Sequence, residues 1–313
     1  MKRYFSLIIL IAIGGTALSQ NRQDIAGFSQ FNQYFNPALT GNDGTSVKSF
    51  YRDQMTSFED APKTLFLSGE ANISDLTGKK SNSVAHGVGL AVLHDAFGAL
   101  RDNRVNLSYS AGIKISSKMQ LKAGAAFTYN NVKLDTDVLS LSEADDASYL
   151  SLLNGNNTIN KYGVNIGAAI SSDDFYAGYS LNDAVKSGDN NRPYYNDVYA
   201  VQHALQVGYR RAFSDDLGFV VNGIFRYDTH QKGIGEGQLK AVFLNTFWVG
   251  AGYRQDIAYT FNTGVRLKQF RVSYSRELNA NKVSGAYRGG NELILSYNFT
   301  PLFGMAKKAL DIW

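Results

Sequence analysis

From Asp102 to Lys133 the chain keeps one periodicity, and that periodicity limits what it can become. Val105, Leu107, Tyr109, Ala111, Ile113 and Ile115 alternate with Asn106, Ser108, Ser110, Gly112, Lys114 and Ser116. After Ser116-Ser117-Lys118 the alternation resumes: Met119, Leu121, Ala123, Ala125, Phe127 and Tyr129 against Gln120, Lys122, Gly124, Ala126, Thr128 and Asn130. A period of two sends every second side chain to one face of a strand, so each run predicts a β-strand with one apolar side. A three-residue connection that pairs Ile115 with Met119 also pairs Leu107 with Phe127 and Val105 with Tyr129. The apolar faces then coincide, as a hairpin requires. Both strands exceed the five or six residues usual in soluble sheets. A run of about ten residues or more, apolar on one face and polar or small on the other, fits a tilted strand crossing a bilayer.

The same alternation recurs along the chain. It predicts strands starting near Ser46, Thr64 and Val84 ahead of the hairpin. Nine more follow it, near Asn160, Phe175, Tyr199, Leu217, Gly233, Phe247, Ile257, Phe270 and Leu293. The links after strands 4, 6, 8, 10 and 12 are short, whereas the long ones, 133–158, 183–197 and 279–290, follow strands 5, 7 and 13. Short turns on one rim and long loops on the other mark an outer-membrane barrel. The link at 75–83, after strand 2, is longer than that rule expects. The expected fold is therefore all-β: an antiparallel transmembrane β-barrel of about 14 strands over residues 46–299, with both ends on the periplasmic side. A soluble β-sandwich is the structural alternative, since alternation alone does not tell a lipid face from a core face.

Composition agrees with strands. Nineteen Tyr, nineteen Phe and thirty Gly stand against four Pro, a bias that suits strands, turns and barrel walls. Residues 1–19 read as a cleaved export signal, with Lys2 and Arg3 ahead of an apolar run ending at Ala17-Leu18-Ser19. That run is too short for the roughly 20 residues of a membrane-spanning helix. Without Lys2 and Arg3 the formal charge of +4 falls to +2, and no basic stripe with interleaved aromatics marks a nucleic-acid partner. With no cysteine, disulfides and thiolate metal sites are excluded. Outer-membrane lipid is the partner that periodicity itself implies.

Nothing legible points to catalysis or a cofactor. His86, His94, His203 and His230 lack metal-ligand spacing, and no nucleophile has a recognisable base beside it. His203 shares the apolar parity of its strand and reads as an interfacial histidine. Gly233–Gly237 resembles a phosphate loop but leads into a strand rather than a helix. The acidic loop at 134–158 lacks the ligand spacing of a calcium motif. Lys114, Lys122, Arg210, Arg226, Arg254 and Arg266 fall in the lumenal parity, consistent with either a water-filled channel or a plugged lumen. Residues 20–45 form a periplasmic or lumenal segment rich in amides and carrying Phe28, Phe31, Tyr34 and Phe35. Its apolar area suggests packing into the barrel mouth. Residues 300–313 form a tail beyond the last strand.

The N-terminal third carries a family resemblance. Phe31-Asn-Gln-Tyr34-Phe35-Asn36-Pro37-Ala38, then Thr40-Gly41, Phe50-Tyr51-Arg52-Asp-Gln54, Phe58 and Ala61-Pro62-Lys63-Thr64 resemble the PorP/SprF family. Gly87-Val-Gly-Leu-Ala91 with His94-Asp95, and the ending Glu292-Leu-Ile-Leu-Ser-Tyr-Asn-Phe299, are also similar. Phe35, Asp53 and Asp60 replace the Tyr, Asn and Gly usual in those motifs. The resemblance implies an outer-membrane protein of the type IX secretion system of Bacteroidota, with no enzymatic activity. It further implies export or surface retention of large adhesin-like substrates, gliding motility, and partners among the secretion machinery and substrates bearing a C-terminal sorting domain. It marks Phe31, Tyr34, Phe35, Asn36, Pro37, Tyr51, Arg52, Ala61, Pro62 and Lys63 as candidate plug or partner residues. Two functions follow: a docking component of type IX secretion, with an occupied lumen, and a porin-like channel for small solutes, with an open one.

Overall fold

The computed structural model describes residues 25–54, 61–77, 84–135, 158–187, 200–228, 233–280, 289–299 and 312. Fourteen antiparallel strands close into a barrel. In chain order they are β1 (Ser46–Gln54), β2 (Lys63–Asn72), β3 (Val84–Phe97), β4 (Leu100–Lys114), β5 (Gln120–Leu134), β6 (Thr158–Ser171) and β7 (Phe175–Lys186). The second half comprises β8 (Gln202–Ala212), β9 (Leu217–Asp228), β10 (Ile234–Phe243), β11 (Phe247–Arg254), β12 (Ala258–Leu267), β13 (Phe270–Asn279) and β14 (Gly290–Asn298). Each strand pairs with its neighbours in sequence, and β1 pairs with β14 to shut the cylinder. Closure satisfies every backbone edge within the wall, which a bilayer demands.

The register of β4 and β5 places Leu107 opposite Phe127 and Val105 opposite Tyr129, as the hairpin argument requires. Alternation then sorts the two faces. Leu107 is 59% exposed and Phe127 50%, whereas the intervening Asn106, Ser108 and Thr128 are buried. The same holds around the cylinder, so an uninterrupted apolar belt faces outward. A belt of that extent is unstable in water and matches hydrocarbon. A closed barrel with its polar side chains inward excludes the sandwich.

Several boundaries differ from the sequence reading. β2 ends at Asn72 and a short helix, Ile73–Thr77, follows. It takes up part of the long link on the short-turn rim. β3 and β4 each run further than expected, meeting at Gly98-Ala99, where Gly98 adopts φ 53° and allows a two-residue turn. β8 begins at Gln202 rather than near Tyr199, which lies outside the described residues. β6 and β7 shift register between Val164 and Ile166, beside Asp183 at φ 55°. Asn182, Asp183 and Ala184 of β7 there stand against Asn165 alone on β6, an enlarged bulge whose two extra residues keep the alternation in phase. Lys114 and Arg266, assigned to the lumen by parity, sit at strand ends next to turns; Lys114 is exposed and Arg266 only partly covered, because the wall no longer encloses them there. The export signal, the acidic loop at 136–157, Phe58, His230 and the tail at 300–311 lie outside the described residues. Among the described residues no helix is long and apolar enough to cross a membrane.

Candidate functional site in the lumen

The interior of the barrel is filled by the chain's own residues 25–44. This segment is compact but irregular: a 3-10 turn at Phe28–Gln30, one helical turn at Asn32–Phe35, and a 3-10 turn at Pro37–Leu39. Asn36-Pro37 dictates the break. The residue before a proline is driven to extended backbone, and Asn36 has φ −139° and ψ 109°. Its side-chain oxygen accepts from the Ala38 N–H at 2.9 Å, so Asn36 caps the turn that Pro37 opens. Its amide nitrogen donates to the Ala168 carbonyl of β6 at 3.3 Å.

The wall makes room for this turn. A Cβ on Gly124 would stand 2.4 Å from the Pro37 carbonyl carbon, and one on Gly167 would stand 2.1 Å from Asn36 Oδ1. Gly124 lets the backbone of Pro37 and Ala38 lie directly against the sheet, and Gly167 makes room for the capping Asn36 side chain and the Pro37 ring. Ser180 and Asn182 donate to the Phe35 carbonyl at 2.7 and 3.2 Å, and Ser110 donates to the Thr40 carbonyl at 2.8 Å. An irregular segment with no ladder of its own thus satisfies its backbone from lumenal side chains.

An aromatic core holds the centre. Phe31 is 0% exposed and meets Phe50 and Phe66 edge-on, with centroids 5.2 and 5.1 Å apart. Tyr34 meets Phe66 at 5.4 Å and accepts a hydrogen bond from Arg104 at 3.1 Å. The guanidinium of Arg226 lies 5.8 Å from the Phe35 ring centroid. Ile25, Phe28, Ala91, Leu93, Ile224 and Ile294 complete the cluster. Phe50, Phe66, Leu93, Ile224 and Ile294 belong to the wall but point inward, in the parity that alternation assigns to polar groups. Sequence reasoning missed them. The available signal was doubled apolar residues that break the alternation: Phe50-Tyr51, Leu65-Phe66-Leu67, Val92-Leu93 and Leu293-Ile294-Leu295.

Two charged assemblies fasten the segment. Glu292 accepts from the Ala26 and Gly27 N–H groups at 3.0 and 2.8 Å. Arg52 lies 3.5 Å from Glu292 and 2.5 Å from Glu277. Arg254 then bridges Glu277 at 3.0 Å and Glu236 at 2.9 Å. The chain of charges therefore spans β1, β14, β13, β11 and β10, and its side chains are at most 2% exposed. In the second assembly Glu70 accepts from the Gly41 N–H at 2.9 Å and pairs with Lys48 at 2.6 Å. Lys48 also donates to the Gln30 carbonyl at 2.9 Å. Buried carboxylates left single would be costly, but shared among guanidiniums and backbone N–H groups they lock a unique arrangement.

The far end of the chain reaches the same interior. Ile312 is 1% exposed and clusters with Ala38, Leu39, Val220, Val242 and Trp248. Val220, Val242 and Trp248 lie near the strand ends that join through the short turns, so Ile312 lies toward the short-turn rim.

Of the residues singled out in the sequence, the structure gathers Phe31, Tyr34, Phe35, Asn36, Pro37 and Arg52 in the lumen. Arg52 reaches the segment through Glu292. Tyr51 and Lys63 are instead exposed on the outer face, and Ala61 and Pro62 are buried where the first long-rim link ends. Pro62 accepts there from the Gln54 N–H at 3.0 Å. The histidines that the structure describes are on the outside, each beside a polar neighbour: His86 near Tyr109, His94 near Asn103 and His203 near Tyr179. Among the described residues no group of three or more His, Cys, Asp or Glu side chains could hold a metal ion.

The sequence profile of the type IX secretion system membrane proteins PorP/SprF matches residues 17–297. The chain belongs to this family. Solved structures similar to this PorP/SprF member are outer-membrane barrels. The CymD monoaromatic hydrocarbon channel aligns with TM-score 0.50 and 12% identity over 86% of this chain and 92% of its own. Omp33 of Acinetobacter baumannii gives 0.47 and 10% over 82% and 96%. The toluene transporter TodX of Pseudomonas putida gives 0.45 and 10% over 84% and 92%. At such identity the likeness to CymD speaks for the fold alone. No curated protein matches the chain by sequence. Family and fold together place this PorP/SprF protein in the outer membrane as a component of type IX secretion.

Proposed function

We propose that this protein is a non-enzymatic docking component of type IX secretion that supports export or surface retention of large adhesin-like substrates, with gliding motility among the processes served. Its partners in this reading are the secretion machinery and a substrate bearing a C-terminal sorting domain. One observation carries the reading beyond the family assignment: the lumen is occupied by residues 25–44, anchored at both charged assemblies and around Phe31. A barrel filled in this way offers a fixed platform at the membrane rather than a standing path for small solutes. The family-motif residues Phe31, Tyr34, Phe35, Asn36, Pro37 and Arg52 then shape the platform from within. Tyr51, Ala61, Pro62 and Lys63 shape it from the wall and rim.

Purification of the full-length protein from its native membrane in mild detergent tests this. The expected result is co-purification of secretion machinery and of a protein with a sorting domain, together with loss of that protein from the cell surface when the barrel is deleted. A barrel that purifies alone and conducts ions steadily in planar bilayers overturns the reading and supports a porin-like channel.

A further inference from the structure

The strand registers allow outward side chains to be followed from strand to strand along the rim that carries the long loops. There Lys63 on β2 is paired with Ala96 on β3, Ala96 with Arg101 on β4, and Arg101 with Lys133 on β5. All four point outward. Lys63 and Lys133 are exposed, and Arg101 is partly so. Three strand spacings separate the two lysines, about 14 Å. Arg101 donates to the Gly98 and Leu100 carbonyls and sits 3.7 Å from Asp135, so its charge is held at the edge of the turn. Asp53 pairs with Lys63 across β1 and β2, and beyond it Asn291 on β14 and Arg276 on β13 continue the row. Among the described residues of this row four cations face two carboxylates, a positive balance.

The next row toward the membrane centre is polar and holds no Lys, Arg, Asp or Glu on β3 to β6. It contains His94, Asn103, Asn131 and Asn160 on β3 to β6, each paired across strands. His94 Nδ1 lies 2.7 Å from Asn103 Oδ1, and Asn131 donates to Asn160 Oδ1 at 2.7 Å. Asn103 and Asn160 use their oxygens in this way, so their NH2 groups remain as donors. Below them the wall becomes hydrocarbon, with Val92, Val105 and Tyr129, then Leu90, Leu107 and Phe127. The opposite arc is built differently. Outward positions at this rim on β7 to β12 carry Val185, His203, Tyr227, Tyr253 and Tyr259, with no outward Lys or Arg among the described residues.

Cations outermost, then hydrogen-bonding side chains, then an apolar wall: this order matches a molecule with phosphate, sugar hydroxyls and acyl chains in sequence. A phospholipid headgroup would satisfy the cations. It leaves the row of His and Asn at the membrane boundary without hydroxyl partners, which is costly for polar groups facing lipid. We propose that the outer face of β2 to β5 binds a phosphorylated glycolipid of the outer leaflet. Its phosphate lies against Lys63, Arg101 and Lys133, its sugar against the His94–Asn160 row, and its acyl chains along Leu107 and Phe127. The site is independent of the secretion role and rests only on the long-loop rim facing outward.

The test uses the full-length barrel in detergent, with rough-type lipopolysaccharide added and retention read by native mass spectrometry. The Lys63→Gln, Arg101→Gln, Lys133→Gln triple variant is expected to bind about a hundredfold more weakly, each cation near a membrane surface contributing about fivefold. The unaltered barrel should lose a similar factor toward the same glycolipid stripped of phosphate. Replacing Lys118, Arg211 and Lys268 with Gln at the short-turn rim should change nothing. If the triple variant does not fold, the Lys63→Gln, Lys133→Gln pair is expected to lose about 25-fold, and the comparison of phosphorylated with stripped glycolipid needs no variant. Equal retention of the two glycolipids by the unaltered barrel overturns the proposal. So does displacement by phosphatidylglycerol or inorganic phosphate at the same concentration.

Discussion

Phe31→Ala tests whether the lumenal segment is held as the geometry says. The ring is completely buried and is the common neighbour of Phe50 and Phe66. Truncating a buried Phe to Ala costs about 3–5 kcal/mol, including about 0.5–1.5 kcal/mol from each edge-on ring pair. The wall strands keep their ladders and their lipid face, so this loss falls on docking of the segment rather than on closure of the barrel. At about 1.4 kcal/mol per tenfold, the undocked population rises by roughly a hundredfold to a few thousandfold. Protease added to barrels in vesicles reports that population when reclosing outpaces cleavage, so cutting within 25–44 should accelerate by the same factor. Heat-modifiable migration in gels should be unchanged. Phe31→Leu, which restores most of the volume, should accelerate cutting by only about tenfold. Cutting of Phe31→Ala at the wild-type rate, with the barrel intact, would refute the assignment of Phe31 as the segment's anchor.

Four further outcomes are expected. Gly124→Val, which drives side-chain atoms into Pro37, should raise single-channel conductance in planar bilayers while the barrel still folds. Leu107→Arg should destabilise folding into lipid vesicles by about 2–4 kcal/mol if the position is near the midplane, whereas Leu107→Ala should be far milder; urea titrations in vesicles measure both. Arg52→Met leaves Glu277 and Glu292 without one of their guanidiniums and should cost about 3–5 kcal/mol in the same titration. Truncation after Phe299 should leave a heat-modifiable barrel but uncover Trp248 beside the former site of Ile312, shifting its emission to the red relative to full-length Trp313→Phe.

The cylinder itself was legible because it depends on the coarsest signal in the chain. Alternation places Leu107 outward and Asn106 inward whatever the neighbouring strands do. The bulge at Val164–Ile166 was not legible, since alternation continues on both sides of it and only the left-handed Asp183 marks the slip. Strand ends were lost where polar residues run into loops, as at Gln202. The segment at 25–44 announced its apolar content through Phe28, Phe31, Tyr34 and Phe35, but not its partners. Those partners come from β1, β2, β3, β9 and β14 and sit in the parity that a membrane barrel gives to polar groups. Arg52 and Lys63 lie eleven residues apart in one motif-rich stretch, yet one faces the lumen and the other the outside. A shared motif does not imply a shared site.

The inward-facing Phe50, Phe66, Leu93, Ile224 and Ile294 have a consequence for any state in which the lumen is vacated. A solvent-filled pore tolerates an amide- and charge-lined wall, but these five side chains would meet water as an oily patch. At about 1.5–3 kcal/mol for each such side chain, emptiness is penalised by roughly 10 kcal/mol before any hydrogen bond to Glu292 or Glu70 is counted. The interior is thus suited to exchange of occupants rather than to opening. Whatever displaces residues 25–44 must bring its own aromatic or aliphatic groups to the Phe50–Phe66 surface and its own N–H donors to the two carboxylates.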